Sequence, residues 1–95
     1  MQYMKAINII RLKEVRADGL IIEQAVWQLS EPVPGSTHLF KYRLYCGRGN
    51  ECLVRYDNER SKGDHRHMDG REEGYIFTGL TALLEDFWND IERLT

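Results

Sequence analysis

A strict two-residue alternation of apolar and polar side chains in the middle of the chain most constrains the fold. In HLFKYRLYC (residues 38–46), every second residue from position 40 is apolar: Phe40, Tyr42, Leu44 and Cys46. ECLVRYD (51–57) repeats the pattern with Cys52, Val54 and Tyr56. Successive side chains of a β-strand point to opposite faces, so this period predicts two strands with one apolar face. Such strands are typical of an antiparallel sheet covered on one face.

The other face of these two strands is basic. A three-residue loop within GRGN (47–50) sets Arg43 opposite Arg55 and Lys41 opposite Asp57. Two facing arginines repel each other unless their side chains splay apart or an anion lies between them. The pattern therefore favours an anion-binding surface on the polar face.

Earlier in the chain, INIIRLKEV (7–15) and LIIEQAVWQL (20–29) flank the tripeptide ADG. Both segments are rich in β-branched residues, and Asp18-Gly19 is a strong signal for a two-residue type I′ hairpin. That turn pairs Ile10 with Trp27. The following SEPVPGS (30–36) contains two prolines and a glycine, which predicts a connecting loop.

The hydrophobic period changes near the end of the chain. YIF (75–77) is consistent with a short last strand, and the apolar residues after it follow helical spacing: Leu80, Leu83, Leu84, Phe87, Trp88, Ile91 and Leu94. We therefore expect an α+β fold, an antiparallel sheet of four to five strands with one C-terminal helix packed on one face. At 95 residues, the chain is expected to form a single domain over 1–95.

Composition narrows the class of protein. The chain has no apolar run of membrane-spanning length, no signal-peptide layout and only two cysteines, so a cytoplasmic protein with reduced thiols is expected. Residues 1–56 carry eight Lys/Arg against five Asp/Glu, whereas the whole chain has a net charge of −2. This excess suggests that the first part of the chain faces a polyanion.

The segment KGDHRHMDGREEG (62–74) holds almost no apolar surface and contains two histidines one residue apart. If it is extended, His65 and His67 point the same way and Arg66 points the other way. Two imidazoles suit RNA cleavage without a metal or other cofactor, which needs a base for the 2′-hydroxyl and an acid for the leaving 5′-oxygen. Asp57 is a candidate for orienting one of the imidazoles.

Phosphate and base contacts have candidates as well. The candidates for substrate binding are the cations Lys41, Arg43, Arg55, Arg60, Lys62 and Arg66, which could stabilise a phosphate, and Tyr56, on which a base could stack. Tyr42, Tyr45 and Tyr75 are further rings for stacking on unpaired bases.

Two other interpretations of the histidine segment remain open. The imidazoles together with Asp57, Asp64 or Asp69 could ligate zinc or manganese, although no obvious further ligand is present. Alternatively, the segment is a flexible polar loop whose histidines have no chemical role. Its three glycines suit a mobile loop as well as close approach to a ligand.

VRYDNERSKGDHRHMDGREEGYIF followed by LLEDFWNDI resembles the small bacterial toxin family called TumE, formerly a domain of unknown function. The likeness extends from ADG and EPVPGSTHLFKYRL to the terminal helix. It implies a toxin–antitoxin locus, a helix-turn-helix antitoxin as partner and an action on RNA. It also implies a functional site at Tyr56, Asp57, Asn58, His65, His67 and Gly70.

The function expected from the sequence is therefore a type II toxin that inhibits translation by cleaving RNA with the His-x-His segment. No cofactor, bound metal or membrane is expected, and a homodimer is compatible with the sequence. The alternatives are a non-catalytic nucleic-acid or protein-binding module and a metal-dependent phosphodiesterase or nucleotidyl-transfer enzyme.

Overall fold

Six antiparallel strands pair in the order in which they occur along the chain, and one helix follows them. The computed structural model describes residues 5–95. The elements are β1 (Ala6–Val15), β2 (Leu20–Leu29), β3 (Phe40–Arg48), β4 (Glu51–Glu59), β5 (Gly63–Met68), β6 (Arg71–Gly74) and α1 (Leu80–Leu94). The predicted α+β class and the C-terminal helix are confirmed, and the sheet has six strands rather than four or five.

The additional strands come from the histidine segment. Its residues form the hairpin β5–β6, whose turn at Asp69 and Gly70 has positive φ at both positions, 53° and 75°. A type I′ turn requires that geometry, and it matches the twist of two-residue hairpins. The segment is extended, as the same-facing histidines required. YIF does not form the predicted last strand, because Tyr75 to Phe77 connect β6 to α1 without pairing along a strand.

The first hairpin has a different turn and register from those predicted. Within Ala17–Gly19 only Gly19 has positive φ, 86°, and the amide of Arg16 donates to the carbonyl of Leu20 across a three-residue loop. A third loop residue shifts the pairing by one position, so that Ile10 lies opposite Val26 instead of Trp27. A bulge between Asn8 and Ile10 shifts it again.

The second hairpin keeps the predicted faces except at Cys52, which pairs with Gly47 on the face of Arg43 and Tyr45. It does not keep the predicted partners. Arg43 lies opposite Asp57, and Arg55 lies opposite Tyr45. The loop has two residues, and a bulge between Cys46 and Gly47 restores the alternation that a two-residue loop would otherwise invert. The facing pair of arginines inferred from the sequence is therefore wrong.

The core lies between one face of the sheet and α1. The predicted helical stripe is confirmed, since Leu83, Phe87 and Ile91 are at most 2% exposed. Phe87 meets the ring of Tyr56 from β4 edge-on at 6.1 Å between centroids, an arrangement that aromatic pairs favour. The loop predicted at residues 30–36 extends to residue 39, because β3 begins at Phe40 rather than at His38. It contacts the same side of the sheet through Ser36 and His38.

A buried polar cluster fixes α1 to the strands. Asp90 of the helix is 2% exposed and accepts hydrogen bonds from the hydroxyl of Tyr56 and the guanidinium of Arg66, the latter at 2.8 Å from Nε. Burial, followed by the bond to Asp90, raises the pKa of the Tyr56 phenol. A buried carboxylate with these partners satisfies its lone pairs and sets the position of the helix across β4.

Candidate nucleic-acid interface

The sheet face opposite α1 is not covered by any of the described elements, and we call it the open face. The strand registers place charged and aromatic side chains from all six strands on this face. They are Arg11, Lys13, Glu23, Trp27, Lys41, Arg43, Tyr45, Arg55, Asp57, His65, His67 and Glu72. Five of these are Lys or Arg and three are acidic. The surface is thus mixed in charge with an excess of cations, and two aromatic rings lie among them.

His65 and His67 lie side by side on the open face. On β4 their direct partners are Asp57 and Arg55, in that order. The Nδ1 atom of His65 is 3.1 Å from the carbonyl oxygen of Gly63. A carbonyl only accepts, so Nδ1 carries the proton in this contact and Nε2 of a neutral His65 keeps a free lone pair.

This contact changes the role expected for Asp57. A backbone carbonyl, not the Asp57 carboxylate, holds the tautomer of His65. The carboxylate instead lies 3.4 Å from Nε of Arg55. Burial raises the pKa of Asp57 above its ordinary value, although Arg55 and His65 act in the opposite direction. Asp57 therefore helps to hold Arg55 beside the imidazoles.

The structure separates the predicted phosphate-binding residues into three places. Lys41, Arg43 and Arg55 share the open face with the histidines. Arg60 and Lys62 lie in the β4–β5 turn, where Lys62 pairs with Glu59 at 3.3 Å.

Arg66 and Tyr56 are on the opposite side of the sheet, where both bond Asp90. Because these two side chains face the helix, they do not join the histidines, and we leave them out of the site.

Tyr45 is the one tyrosine of the predicted stacking group that the open face carries. Tyr42, Tyr56 and Tyr75 instead donate their hydroxyl groups to Asp64, Asp90 and Asp86 on the other side of the sheet. A Cβ atom at Gly47 would lie 2.1 Å from the Tyr45 hydroxyl oxygen, so the ring occupies space that only glycine leaves free.

The Tyr45 ring is also held from its face. The guanidinium carbon of Arg43 lies 5.5 Å from the ring centroid, within the range of a cation–π contact. Gly47 and Arg43 together make Tyr45 a positioned aromatic surface between the basic side chains. Bases of single-stranded nucleic acids stack on such surfaces.

A groove crosses the β1–β2 end of the open face. Its volume is about 600 Å³, and its walls include Arg11, Lys13, Glu23, Trp27 and Arg43. Glu23 bridges two of the cations loosely, at 3.9 Å from Lys13 and 3.8 Å from Arg43. Exposed ion pairs of this length contribute little to stability, so the cations remain available to a ligand.

The third histidine has a structural position that the sequence did not indicate. Nε2 of His38 lies 2.7 Å from Oδ2 of Asp64, which also accepts the hydroxyl of Tyr42 at 2.7 Å. Nδ1 of His38 accepts the backbone amide of Phe40, and its ring stacks on Phe77 at 3.7 Å. The cluster ties the loop of residues 30–39 to the sheet. His38 and Asp64 are 26 residues apart in the sequence, and no spacing pattern predicts their contact.

The metal-binding interpretation requires at least three ligands to converge. Between residues 5 and 95, no group of three or more His, Cys, Asp or Glu side chains is arranged to hold a metal ion. The paired imidazoles face Arg55 as well as Asp57, and a guanidinium is a poor neighbour for a cation. The arrangement suits an anion better.

Comparison with protein-family models identifies the family of the chain. The family model described as Toxin TumE matches residues 5–95, nearly the whole chain. The chain belongs to the TumE toxin family. The predicted resemblance is thereby confirmed, and TumE membership implies an antitoxin as partner. Searches of curated proteins and of solved structures found no match. In the described part of the chain, no helix is long and apolar enough to cross a membrane.

Proposed function

We propose that this TumE toxin cleaves single-stranded RNA on its open face and thereby inhibits translation in the cytoplasm. The observation that carries the proposal is the placement of His65 and His67 on one uncovered face, directly beside Arg55 and Asp57. Two imidazoles and a guanidinium are the groups that metal-independent cleavage of a ribose phosphate needs.

His65 is the base in this proposal. With its Nδ1 proton directed at the carbonyl of Gly63, Nε2 is left to take the proton of the ribose 2′-hydroxyl. The 2′-oxygen then attacks the phosphorus, and the bond from phosphorus to the 5′-oxygen breaks. The products are a 2′,3′-cyclic phosphate and a 5′-hydroxyl end.

His67 is the acid. It lies two residues from His65 on the same face and next to Arg55, and in protonated form it gives its proton to the leaving 5′-oxygen. Arg55 stabilises the charge that develops on the phosphate oxygens. Asp57 acts through Arg55, which it holds from 3.4 Å, and is a positioning residue.

Tyr45, Lys41 and Arg43 extend the substrate site across β3. A base next to the cleaved bond stacks on the Tyr45 ring, while Lys41 and Arg43 contact the phosphates on either side. We further propose that the antitoxin is a helix-turn-helix protein, whose binding weakens the binding of RNA to this face.

The first test is cleavage of a synthetic single-stranded RNA by purified protein in EDTA. We expect fragments ending in 2′,3′-cyclic phosphate, and no cleavage where the attacking 2′-hydroxyl is replaced by hydrogen. His65→Ala or His67→Ala should each reduce the rate about 10²–10⁴-fold, and circular dichroism should match that of the parent protein. Arg71→Ala, an exposed cation on β6, is the matched control and should retain full activity.

A second substrate separates the two roles. A 5′-thio leaving group departs without protonation, so it should restore cleavage by His67→Ala and leave His65→Ala inactive. A folded His65→Ala/His67→Ala double variant that cleaves like the parent would show that the histidines take no part in catalysis. Wild-type protein that binds RNA without cleaving it would indicate a non-catalytic binding module.

A further inference from the structure

The two edges of the sheet differ in how they are protected from pairing with another strand. β6 is four residues long and fully exposed, and it carries Arg71, Glu72 and Glu73. Short, charged edge strands are a common natural defence against unwanted pairing. β1 is ten residues long, and no described strand pairs with its outer side.

β1 also exposes large apolar side chains. Ile7, Leu12 and Val15 are 60–64% exposed, and Ile9 is 40% exposed. A long edge with exposed apolar residues is a template for an added strand, because its outward amides and carbonyls are unpaired. β1 therefore has the form of a docking edge.

The charges of β1 indicate what kind of strand can pair with this edge. Arg11 and Lys13 lie on the open-face side, and Arg16 and Lys5 flank the strand, whereas Glu14 is its one acidic residue. A second copy of β1 would bring these cations against one another, and like charges on adjacent strands are destabilising. The charge pattern thus favours an acidic segment over self-pairing.

The side of β1 that faces the helix offers a second contact surface for the added segment. Leu12 lines a groove of about 280 Å³ together with Lys13, Glu14, Ile22, Gln24 and Trp88. A strand paired with β1 would place every second side chain over this groove and the others beside Arg11 and Lys13. A segment that alternates apolar and acidic residues fits both faces.

We propose that β1 is the docking edge for an extended segment of the antitoxin in which acidic and apolar residues alternate. The added strand continues the sheet, pairs its acids with Arg11 and Lys13, and buries Leu12. The proposal rests on membership of the TumE toxin family and on the edge itself, and it does not require RNA cleavage.

The test uses the complex of this chain with the product of the adjacent gene, co-expressed and purified together. Hydrogen–deuterium exchange is compared between the free chain and the complex. We expect amides of residues 6–15 to exchange at least about tenfold more slowly in the complex, while residues 71–74 are unchanged. A complex with unaltered exchange in β1 would overturn the proposal. So would β1 protection in the free chain that increases with its concentration, because that result indicates a second copy.

Charge reversal provides the second measurement. Arg11→Glu/Lys13→Glu should weaken binding of the antitoxin at least about tenfold, with most of the effect on the association rate. Arg71→Glu on β6 is the matched control and should bind like the parent protein. Reversing the acids of the bound segment should restore the affinity of the double variant. Equal binding by the double variant and the control would contradict the proposal.

Discussion

At the scale of single residues, the open face combines side chains held in place with side chains that are free. Gly63 holds the ring of His65 by one hydrogen bond, and Gly47 provides the space in which the ring of Tyr45 lies. His67 has no hydrogen-bond partner among residues 5–95. One imidazole is thereby restrained while its neighbour is free to turn toward a ligand.

Tyr45 and Gly47 should act together in nucleic-acid binding. Tyr45→Ala should weaken binding of a short single-stranded RNA by about 1–3 kcal/mol, because it removes one stacked base. Gly47→Ala should weaken it in the same direction, because the added Cβ meets the Tyr45 hydroxyl and the backbone carbonyl of Glu51 and so displaces the ring and the hairpin backbone. Tyr45→Phe should retain binding. Fluorescence anisotropy with a labelled oligonucleotide measures all three. Full binding by Tyr45→Ala would remove the ring from the site.

Asp57 should make the fold sensitive to pH in a defined direction. Its pKa is raised above the ordinary value of 3.8, so its contribution to stability is fully present below that pH and is lost as pH rises through the folded-state pKa. Asp57→Asn should therefore gain stability relative to the parent protein between about pH 3.5 and pH 7. Urea midpoints at the two pH values measure the difference. A variant that loses relative stability over this range would contradict it.

At the scale of elements, the sequence predicted which face of the sheet a side chain occupies better than which residue lies opposite it on the next strand. Strict alternation assigned Arg43 and Arg55 to one face correctly, because the period of a strand is a local property. Their pairing depended on the bulge at Cys46 and Gly47, and bulges have no comparable signal in a single sequence. The strands β5 and β6 were not predicted, because the histidine segment has too little apolar content to show a strand period; the same facing of His65 and His67 was inferred only on the condition that the segment is extended.

The helix and the sheet should depend on Asp90 more than on any exposed acid of α1. Asp90→Ala leaves Arg66 and the hydroxyl of Tyr56 without their shared partner, and breaking a buried pair costs about 3–5 kcal/mol. Glu92→Ala, on the exposed side of the same helix, should change stability by no more than about 0.5 kcal/mol. Urea unfolding at neutral pH compares the two. Equal destabilisation would mean that the cluster does not hold the helix.

At the scale of the whole molecule, the two proposed recognition sites lie next to each other on the sheet. The open face carries the histidines at β5 and a basic groove at β1–β2, and β1 is also the unprotected edge. A segment docked on that edge would neutralise Arg11 and Lys13 while leaving the histidines at a distance. Neutralising these cations would weaken RNA binding without a direct contact to His65 or His67.

RNA binding should depend on salt through the open-face cations. Each phosphate contact in a single strand contributes about 0.7 to the slope of log affinity against log salt concentration. Arg43→Ala should reduce the magnitude of that slope by about 0.7. Arg93→Ala, on α1, is the matched control and should leave it unchanged. Titrations at several salt concentrations measure the slopes, and identical slopes for the parent protein and Arg43→Ala would place the RNA elsewhere.

Because every strand pairs with the strand before it in the chain, the sheet grows in the order in which a ribosome produces it. Contacts between neighbours in sequence form early, since little chain entropy is lost in closing them. Residues 80–94, which cover the apolar face, are made after all six strands. Strands β1 and β2 therefore leave the ribosome before residues 80–94 are available to close the core. An antitoxin already present in the cell has its docking edge available while the toxin is still attached to the ribosome.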